Sequence, residues 1–184
     1  DKVGSIAHWL SRVVLDSIGE ACRGAGDMMG WLRKAARAIL EADQCRPIEW
    51  VTPLGFPVLQ PYWNTRQMNV TVDAAKFQIH LRTPVEGDRQ RMAWCVQGTP
   101  PNVVHSWDSC HMMMTATECG TRGIDFAAVH DSFWSHAEHA TELATVLRQT
   151  FVDLHSVDLA SNLRDQWVQR YRIELDPVPA KGNL

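Results

Sequence analysis

The sequence of 184 residues lacks a positive charge excess, a cysteine framework and a long apolar run. Its formal net charge of −3 argues against a free-standing nucleic-acid-binding domain, because such domains present a basic surface to phosphates. Five cysteines, with no C-x-x-C pair, argue against a disulfide framework or a zinc site and favour reduced, mostly buried thiols. No apolar run approaches the length of a membrane-spanning helix, so we expect no membrane partner.

The amino-terminal segment, DKVGSIAHWL, lacks an initiator methionine and the pattern of a targeting peptide. We therefore expect the chain to be part of a longer protein. A content of 45% hydrophobic and 21% charged residues is typical of one globular domain or a piece of one. Eight tryptophans indicate extensive buried surface.

Hydrophobic periodicity predicts helices in the first quarter of the chain. Apolar residues at helical spacing predict an amphipathic helix over residues 5–21. Gly24 and Gly26 are predicted to break it, and Asp27 to cap a second helix that ends before Pro47.

The sequence of the second half of the chain predicts a polar loop at residues 83–101 and three further helices after it. One runs from residue 102 to about 118, one opens at a capping box of Ser135 and Glu138, and one covers about 158–171. The inner face of the middle helix is predicted to be Leu143, Val146, Leu147, Phe151 and Leu154.

Between these helices the apolar period changes to that of strands. IEWVTPLGFPVLQPYW predicts two strands around a Pro-Leu-Gly turn, and MNVTVDAAKFQIHL predicts a β-hairpin because its alternation slips at residues 73–76. Residues 124–129 predict a short strand that ends in a turn. The predicted class is α+β, helix-rich, with small antiparallel β-hairpins.

Two local basic clusters are candidates for phosphate contacts despite the net negative charge. They are Arg33, Lys34 and Arg37 in the second helix, and Arg82, Arg89 and Arg91 around the polar loop. A solvated helix face and a polar loop explain them equally well.

The predicted turn after residue 129 consists of His130, Asp131 and Ser132. Burying an ionised carboxylate without a cationic partner is costly, so Asp131 either sits at an exposed turn or holds a metal. A carboxylate that projects beyond a strand suits Mg²⁺, which takes one or two protein oxygens together with substrate phosphates. An ordinary turn aspartate is the simpler interpretation of these three residues alone.

A second polar cluster lies in PNVVHSWDSCHMMMTA, where His105, Asp108 and His111 follow one another at intervals of three. The spacing is not the i, i+4 pair of a helical zinc motif, and a polar stripe beside a methionine-rich core explains it. A small metal-dependent hydrolase remains an alternative. Its ligands would come from His105, Asp108, His111, His130, Asp131 and His136.

Taken together, these stretches resemble a known family. PPNVVHSWDSCHMM followed by FAAVHDSFWSHA resembles the carboxyl-terminal part of the single-subunit, phage-type RNA polymerases of mitochondria, plastids and bacteriophages. IEWVTPLGFPVLQPY resembles the family's fingers segment, and PAKGNL resembles the segment near the carboxyl end of those enzymes. The blocks stand in the family's order, and EWVTPLG and HMMMTA are closer to the mitochondrial branch.

The resemblance implies DNA-directed RNA synthesis by a right-hand polymerase. It makes Asp131 one of two catalytic aspartates that hold two Mg²⁺ ions, with His130 supporting the motif. It places His105 near the growing RNA end, and it makes Asp108 and Ser132 candidates for contacts with substrate or nucleic acid. A family A DNA polymerase, an alternative from the same superfamily, has Glu where Ser132 stands.

The resemblance also implies an organisation and a set of partners. Residues 1–100 are expected to be fingers-like, 101–157 palm-like, and 158–184 a carboxyl-terminal helix and extended tail. DNA template, nascent RNA, nucleoside triphosphates and transcription factors are the expected partners. Mitochondria are the expected compartment, with plastids, or the host cytoplasm for a viral protein, as alternatives.

Several family motifs are missing from this sequence. The second metal-binding aspartate has no equivalent, since Asp16 lies in the middle of a predicted helix without the accompanying Gln-His pair. The nucleotide-binding helix is absent, and the loop at 88–98 carries an insertion and an Arg in place of Lys. We therefore expect the chain alone to be inactive. A relative that binds nucleic acid or partners without catalysis remains a further alternative.

Overall fold

A computed structural model describes residues 2–72, 77–85, 89–129 and 131–180 of the chain. The described residues form five α-helices and six short strands, which confirms the predicted helix-rich α+β class. The helices are α1 (Lys2–Ala21), α2 (Arg23–Ala42), α3 (Met92–Arg122), α4 (Ala140–His155) and α5 (Leu159–Tyr171). The strands are β1 (Ile48–Val51), β2 (Pro57–Gln60), β3 (Thr65–Val72), β4 (Phe77–Pro84), β5 (Ala127–Val129) and β6 (Ser132–Trp134).

Three tryptophans form the centre of the main core, where α2, β1 and α5 meet. The rings of Trp31 and Trp167 stack with centroids 6.2 Å apart, and Trp50 meets Trp167 edge-on at 6.4 Å. Trp167 Nε1 donates a hydrogen bond to the Glu49 carbonyl, and Trp50 Nε1 donates one to the Ser106 hydroxyl. These large rings are therefore buried without an unsatisfied indole N–H.

The segment after α5 returns across this core as an extended strap. Trp31 Nε1 and Arg164 Nε both donate to the carbonyl oxygen of Asp176, and an Arg164 Nη donates to the carbonyl of Leu175. Leu175 is itself buried in the core. The strap joins α2, near the start of the chain, to α5 and the residues that follow it.

A second, smaller core joins the end of α3 to α4 and the β5–β6 hairpin. Its buried and partly buried members are Cys119, Ile124, Phe126, Phe133, Leu143, Val146 and Leu147. α3 ends at Gly123, whose φ of +71° is the left-handed conformation that glycine adopts without strain. The chain then turns at once into the buried Ile124.

Both predicted hairpins are present, and the predicted strand after Ile124 pairs with a further strand, β6, that was not predicted. β1 pairs with β2 around a turn in which Gly55 has a φ of +86°. β3 pairs with β4 in register from Thr65 opposite Pro84 to Val72 opposite Phe77, and the predicted connection at 73–76 lies outside the described residues. β5 pairs with β6.

The start of α3 differs from the prediction, because residues 92–101 are helical rather than a loop. Pro100 and Pro101 were expected to exclude helix, since proline removes a backbone donor and clashes with the preceding turn. Buried Gln60 contacts the turn just before the prolines: its Nε2 donates to the carbonyl of Cys95 at 3.1 Å and to the Thr99 hydroxyl at 3.2 Å. Tertiary contacts with β2 thus stabilise a helix that the local sequence disfavours.

Three smaller predictions were also wrong. α2 begins at Arg23 and runs through Gly24 and Gly26, which were predicted to break the helix. Neither glycine is in close contact with another element, since no atom lies within 4 Å of the place where a Cβ would stand. Ser135 does not cap α4, because a 3₁₀ turn over Ala137–His139 precedes that helix and the Ser135 Oγ is buried without a partner among the described residues. Phe151 is exposed, and Thr150 takes its place on the inner face.

The apolar stripe of α1 is exposed on the described part of the chain. Its exposed members are Ile6, Trp9, Leu10, Val13, Val14, Leu15 and Ile18. Among the described helices, none is both long enough and apolar enough to cross a bilayer.

Candidate active site

Asp131 lies in the two-residue turn between β5 and β6, where Val129 pairs with Ser132. The side chain is exposed, and it forms no hydrogen bond or ion pair with any residue that the structure describes. His130, which precedes Asp131 in the sequence, lies outside the described residues. The carboxylate is therefore presented at the tip of a hairpin, where a cation can reach it.

Aromatic packing holds the hairpin that carries Asp131. The rings of Phe126 and Phe133 stack with centroids 5.8 Å apart. Phe133 also meets the ring of His111 on α3 edge-on at 6.3 Å. Three-residue strands form a weak ladder, so these contacts with the helices fix the direction of the turn.

His111 has a structural role in this arrangement. Its Nε2 donates to the carbonyl oxygen of Leu147 on α4 at 3.0 Å, because a carbonyl can only accept. Its ring also meets Phe151 edge-on at 5.4 Å. His111 thus links α3, α4 and the hairpin, and this bond occupies one of its two possible metal-binding nitrogens.

His105 lines a cleft of about 480 Å³ between the β1–β2 hairpin and α3. The polar side chains of Asn102 and Ser109 line the same cleft, and the exposed ring of Phe56 lies at its hairpin side. His105 is exposed and forms no hydrogen bond with the described residues. The cleft therefore combines donors, acceptors and an aromatic ring, which are the groups that nucleotides require.

A buried polar network fixes one wall of this cleft. Asn102 Nδ2 donates to Gln60 Oε1 at 2.9 Å and to the Tyr62 hydroxyl at 3.4 Å. Gln60 in turn bonds to Cys95 and Thr99 on the first turns of α3. Gln60 was not predicted as part of the site, although a polar residue at the end of an apolar strand and before Pro61 was a signal for it.

The predicted site residues fall into two groups. Asp131 and Ser132 are adjacent on the hairpin, whereas His105 and Asp108 lie one turn apart on α3. Asp108 is exposed and forms no ion pair with the described residues. In the described ranges no three His, Cys, Asp or Glu side chains cluster to hold a metal, so the hydrolase hypothesis finds no support there.

The remaining histidines near the hairpin form surface pairs. His136 Nε2 lies 3.2 Å from the Asp125 carboxylate, with both side chains largely exposed. His139 is near Glu138 and Glu142 at 3.6 and 4.0 Å. These are surface contacts of small energetic value, as expected for residues at the start of a helix.

Comparison with known proteins identifies the family. The model of the family described as DNA-dependent RNA polymerase matches residues 1–183. The chain belongs to the single-subunit, phage-type DNA-dependent RNA polymerases.

The names of individual relatives agree with this family assignment. The chain is 37% identical over 186 residues to DNA-directed RNA polymerase 2, chloroplastic/mitochondrial, of Arabidopsis thaliana. This alignment covers 100% of the chain and 18% of the relative. The chain is 36% identical over 178 residues to DNA-directed RNA polymerase 3, chloroplastic, of Nicotiana sylvestris, covering 96% of this chain and 18% of the relative. With DNA-directed RNA polymerase 2A of Nicotiana tabacum, it shares 36% identity over 180 residues, 97% of this chain and 52% of the relative. The polymerase chain thus spans only part of the length of these relatives.

The chemistry of the polymerase hairpin fits one ligand of a magnesium site. Mg²⁺ prefers carboxylate oxygens and retains several waters, and the exposed Asp131 carboxylate meets both requirements. Among the described residues, Asp131 belongs to no cluster of three or more potential metal ligands. The division of the polymerase chain at residues 100 and 101 stays a prediction, and it falls within α3.

Proposed function

We propose that this chain forms the carboxyl-terminal fingers and palm portion of a DNA-directed RNA polymerase, with Asp131 as one of two metal-holding carboxylates. The observation that carries the proposal is the exposed Asp131 carboxylate, which has no partner among the described residues and lies at the tip of a hairpin whose base is packed against α3 and α4. The family membership of the chain supports it.

Nucleotidyl transfer requires positioning and charge neutralisation more than covalent work by the protein. Bound magnesium supplies the activation of the RNA 3′-hydroxyl and the stabilisation of the leaving pyrophosphate. The role of this chain in that reaction is to hold the Asp131 carboxylate in a fixed direction. The stacked Phe126 and Phe133 do so, since they anchor both strands on either side of the turn.

The cleft beside α3 is proposed to hold the growing RNA end. His105 offers a ring nitrogen at its edge, and Asn102 is held by Gln60 so that its amide has a fixed orientation. Asp108, His130 and Ser132 are proposed to contact substrate or nucleic acid nearby. Template DNA, nascent RNA and nucleoside triphosphates are the partners of this proposal, and transcription factors are further candidates.

An organellar location is proposed from the names of the relatives, which include chloroplastic and mitochondrial enzymes. Within that group we propose mitochondria, on the wording of the EWVTPLG and HMMMTA segments. A fluorescent fusion of the complete coding sequence would coincide with a mitochondrial marker. Coincidence with plastids would favour the alternative.

The proposal is tested in a chimera in which this chain replaces the corresponding part of the Arabidopsis relative. Asp131→Asn keeps the size of the side chain and removes its charge. Loss of a metal interaction worth several kcal/mol lowers the rate of RNA synthesis by about 10³-fold or more. The measurement is primer extension on a DNA template with Mg²⁺.

Asp125→Asn is the matched control, because Asp125 is an exposed aspartate just before the same hairpin. It should leave the rate within about twofold, since exposed ion pairs contribute little. Equal rates for Asp131→Asn and Asp125→Asn would contradict the proposal. An inactive parent chimera that still binds primed template would instead support the non-catalytic relative.

A further inference from the structure

We infer that Trp94 and Arg91 form a stacking site for an unpaired base of a single nucleic-acid strand, beside the cleft that His105 lines. The inference rests on the proposed function, since it adds a second contact for the same class of ligand. Both residues lie in segment 88–98, whose sequence departs from the family pattern.

Trp94 is one of the exposed tryptophans of this protein, together with Trp9 and Trp134. Its side chain is 53% accessible on the first turn of α3, whereas Trp31, Trp50 and Trp167 are buried in the core. The Arg91 guanidinium carbon lies 3.6 Å from the centroid of the Trp94 ring. Such a contact orders both side chains and leaves a flat, cationic, partly apolar surface facing solvent.

The backbone around the pair is held on two sides. The Arg91 N–H donates to the carbonyl oxygen of Tyr62 at 2.8 Å, and the Trp94 and Cys95 N–H groups donate to the carbonyl of Arg91. The Tyr62 ring meets the Trp94 ring edge-on at 6.4 Å. The stacking surface therefore exists before a ligand arrives, which lowers the entropic cost of binding.

The charge of the pair suits a nucleic acid. Arg91 forms no ion pair with any carboxylate in the described part of the chain. Bases stack on aromatic rings and on guanidinium planes, and the same cation attracts the neighbouring phosphate. A single strand satisfies both features, because the bases of a duplex are already stacked on each other.

The pair is connected to the cleft through two residues. Tyr62 contacts Trp94 on one side and accepts a hydrogen bond from Asn102 on the other, and Asn102 lines the cleft beside His105. A strand whose end occupies the cleft can therefore continue across Tyr62 to the Trp94–Arg91 pair. The foot of the β3–β4 hairpin is nearby, since the Asn64 N–H donates to the carbonyl of Arg89.

The test measures binding of end-labelled single-stranded oligonucleotides to the purified chain by fluorescence anisotropy. RNA and DNA of the same sequence distinguish a transcript from an unpaired DNA strand as the ligand. Trp94→Ala should weaken binding of the preferred strand about fivefold or more, the loss expected for one stacked base. Arg91→Lys should also weaken it, because lysine keeps the charge but not the plane.

Trp9→Ala is the matched control, since Trp9 is 62% exposed on α1 and distant in sequence from the cleft. It should leave binding unchanged. Trp94→Leu serves as a second variant if circular dichroism shows that Trp94→Ala unfolds the chain, because leucine keeps apolar contact without stacking. Trp94→Phe should restore most of the binding.

The outcomes separate this inference from the proposed function. Binding by Trp94→Ala and Trp94→Leu equal to that of Trp9→Ala, together with weaker binding by His105→Ala, would overturn the inference alone. Failure of the parent chain to bind any nucleic acid would overturn both. A 2-aminopurine base that is quenched on binding to the parent chain, but not to Trp94→Leu, would support stacking directly.

Discussion

Cys95 lies at the junction of α3 and the β1–β2 hairpin, beneath the wall of the His105 cleft. Its side chain is fully buried, and its Sγ lies 3.7 Å from Gln90 Oε1 as a weak donor. Burial raises the pKa of the Cys95 thiol from 9.0 to about 11, because the thiolate would lose its hydration. The folded chain therefore keeps this thiol protonated at a pH where the unfolded chain releases the proton.

This difference predicts a loss of stability in alkaline solution. Between the unfolded pKa and the raised folded pKa, the native state binds more protons, so the free energy of unfolding falls as pH rises. From about pH 8 to about pH 10 the fall attributable to Cys95 is about 1 kcal/mol. Urea unfolding at each pH measures it.

Cys95→Ala should give a shallower decline than the parent chain over that range. Cys45→Ala is the control, because Cys45 is exposed, and its decline should match the parent. Burial also raises the pKa of Tyr171, to about 12, so a further decline common to all variants is expected above about pH 10. Identical slopes for both cysteine variants would contradict the assignment to Cys95.

The junction between β2 and α3 shows how one element depends on another. Gln60 is buried at the end of β2, and its amide bonds to Cys95, Thr99 and Asn102. These bonds satisfy polar groups near the two prolines of α3, where the helix has lost backbone donors. The side chain of Gln60, from the β1–β2 hairpin, thus holds both the first turns of α3 and the wall of the cleft in place.

Gln60→Ala should lower the free energy of unfolding by about 2 to 3 kcal/mol, because it removes three hydrogen bonds that each contribute about 1 kcal/mol. Gln67→Ala, on the exposed β3–β4 hairpin, should change it by no more than about 0.5 kcal/mol. Thermal or urea unfolding of both variants provides the comparison. A Gln60→Ala chain as stable as Gln67→Ala would show that the network contributes little.

The elements that the sequence predicts correctly are those whose signals are local. The β3–β4 hairpin follows from its alternation and its slip in phase, whereas α3 continues to Arg122, beyond its predicted end at about residue 118. The start of α3 could not be predicted, since it depends on Gln60 from a distant segment. The residues next to Asp131 in the sequence were enough to predict that it lies at a turn. Its open environment could not be predicted from them, because it depends on the packing of Phe133 against α3.

As a whole, the chain presents one carboxylate of the proposed pair and two proposed surfaces for nucleic acid. It also exposes the apolar stripe of α1, and it spans 18% of the Arabidopsis relative. The main core is complete within the chain, because Trp31, Trp50 and Trp167 bury one another. We therefore expect the chain to fold and to bind nucleic acid more readily than it catalyses.

The isolated chain should not extend RNA on a primed template with Mg²⁺, because one carboxylate cannot hold the two ions that the reaction requires. The expected product is below detection at enzyme concentrations where the chimera is active. Extension that Asp131→Asn abolishes would contradict this expectation. The chimera is the positive control.

The strap that joins Trp31 to the carbonyl of Asp176 has a consequence for synthesis on the ribosome. The two partners are 145 residues apart in sequence, and Trp31 also stacks on Trp167. At about 5 to 20 residues per second, Trp31 waits about 7 to 29 seconds for Asp176 to be translated. β1 and α3 are made earlier and can cover most of α2. The part of α2 that Trp167 and the strap cover stays exposed for longer, so we expect ribosome-associated chaperones to bind the nascent polypeptide there.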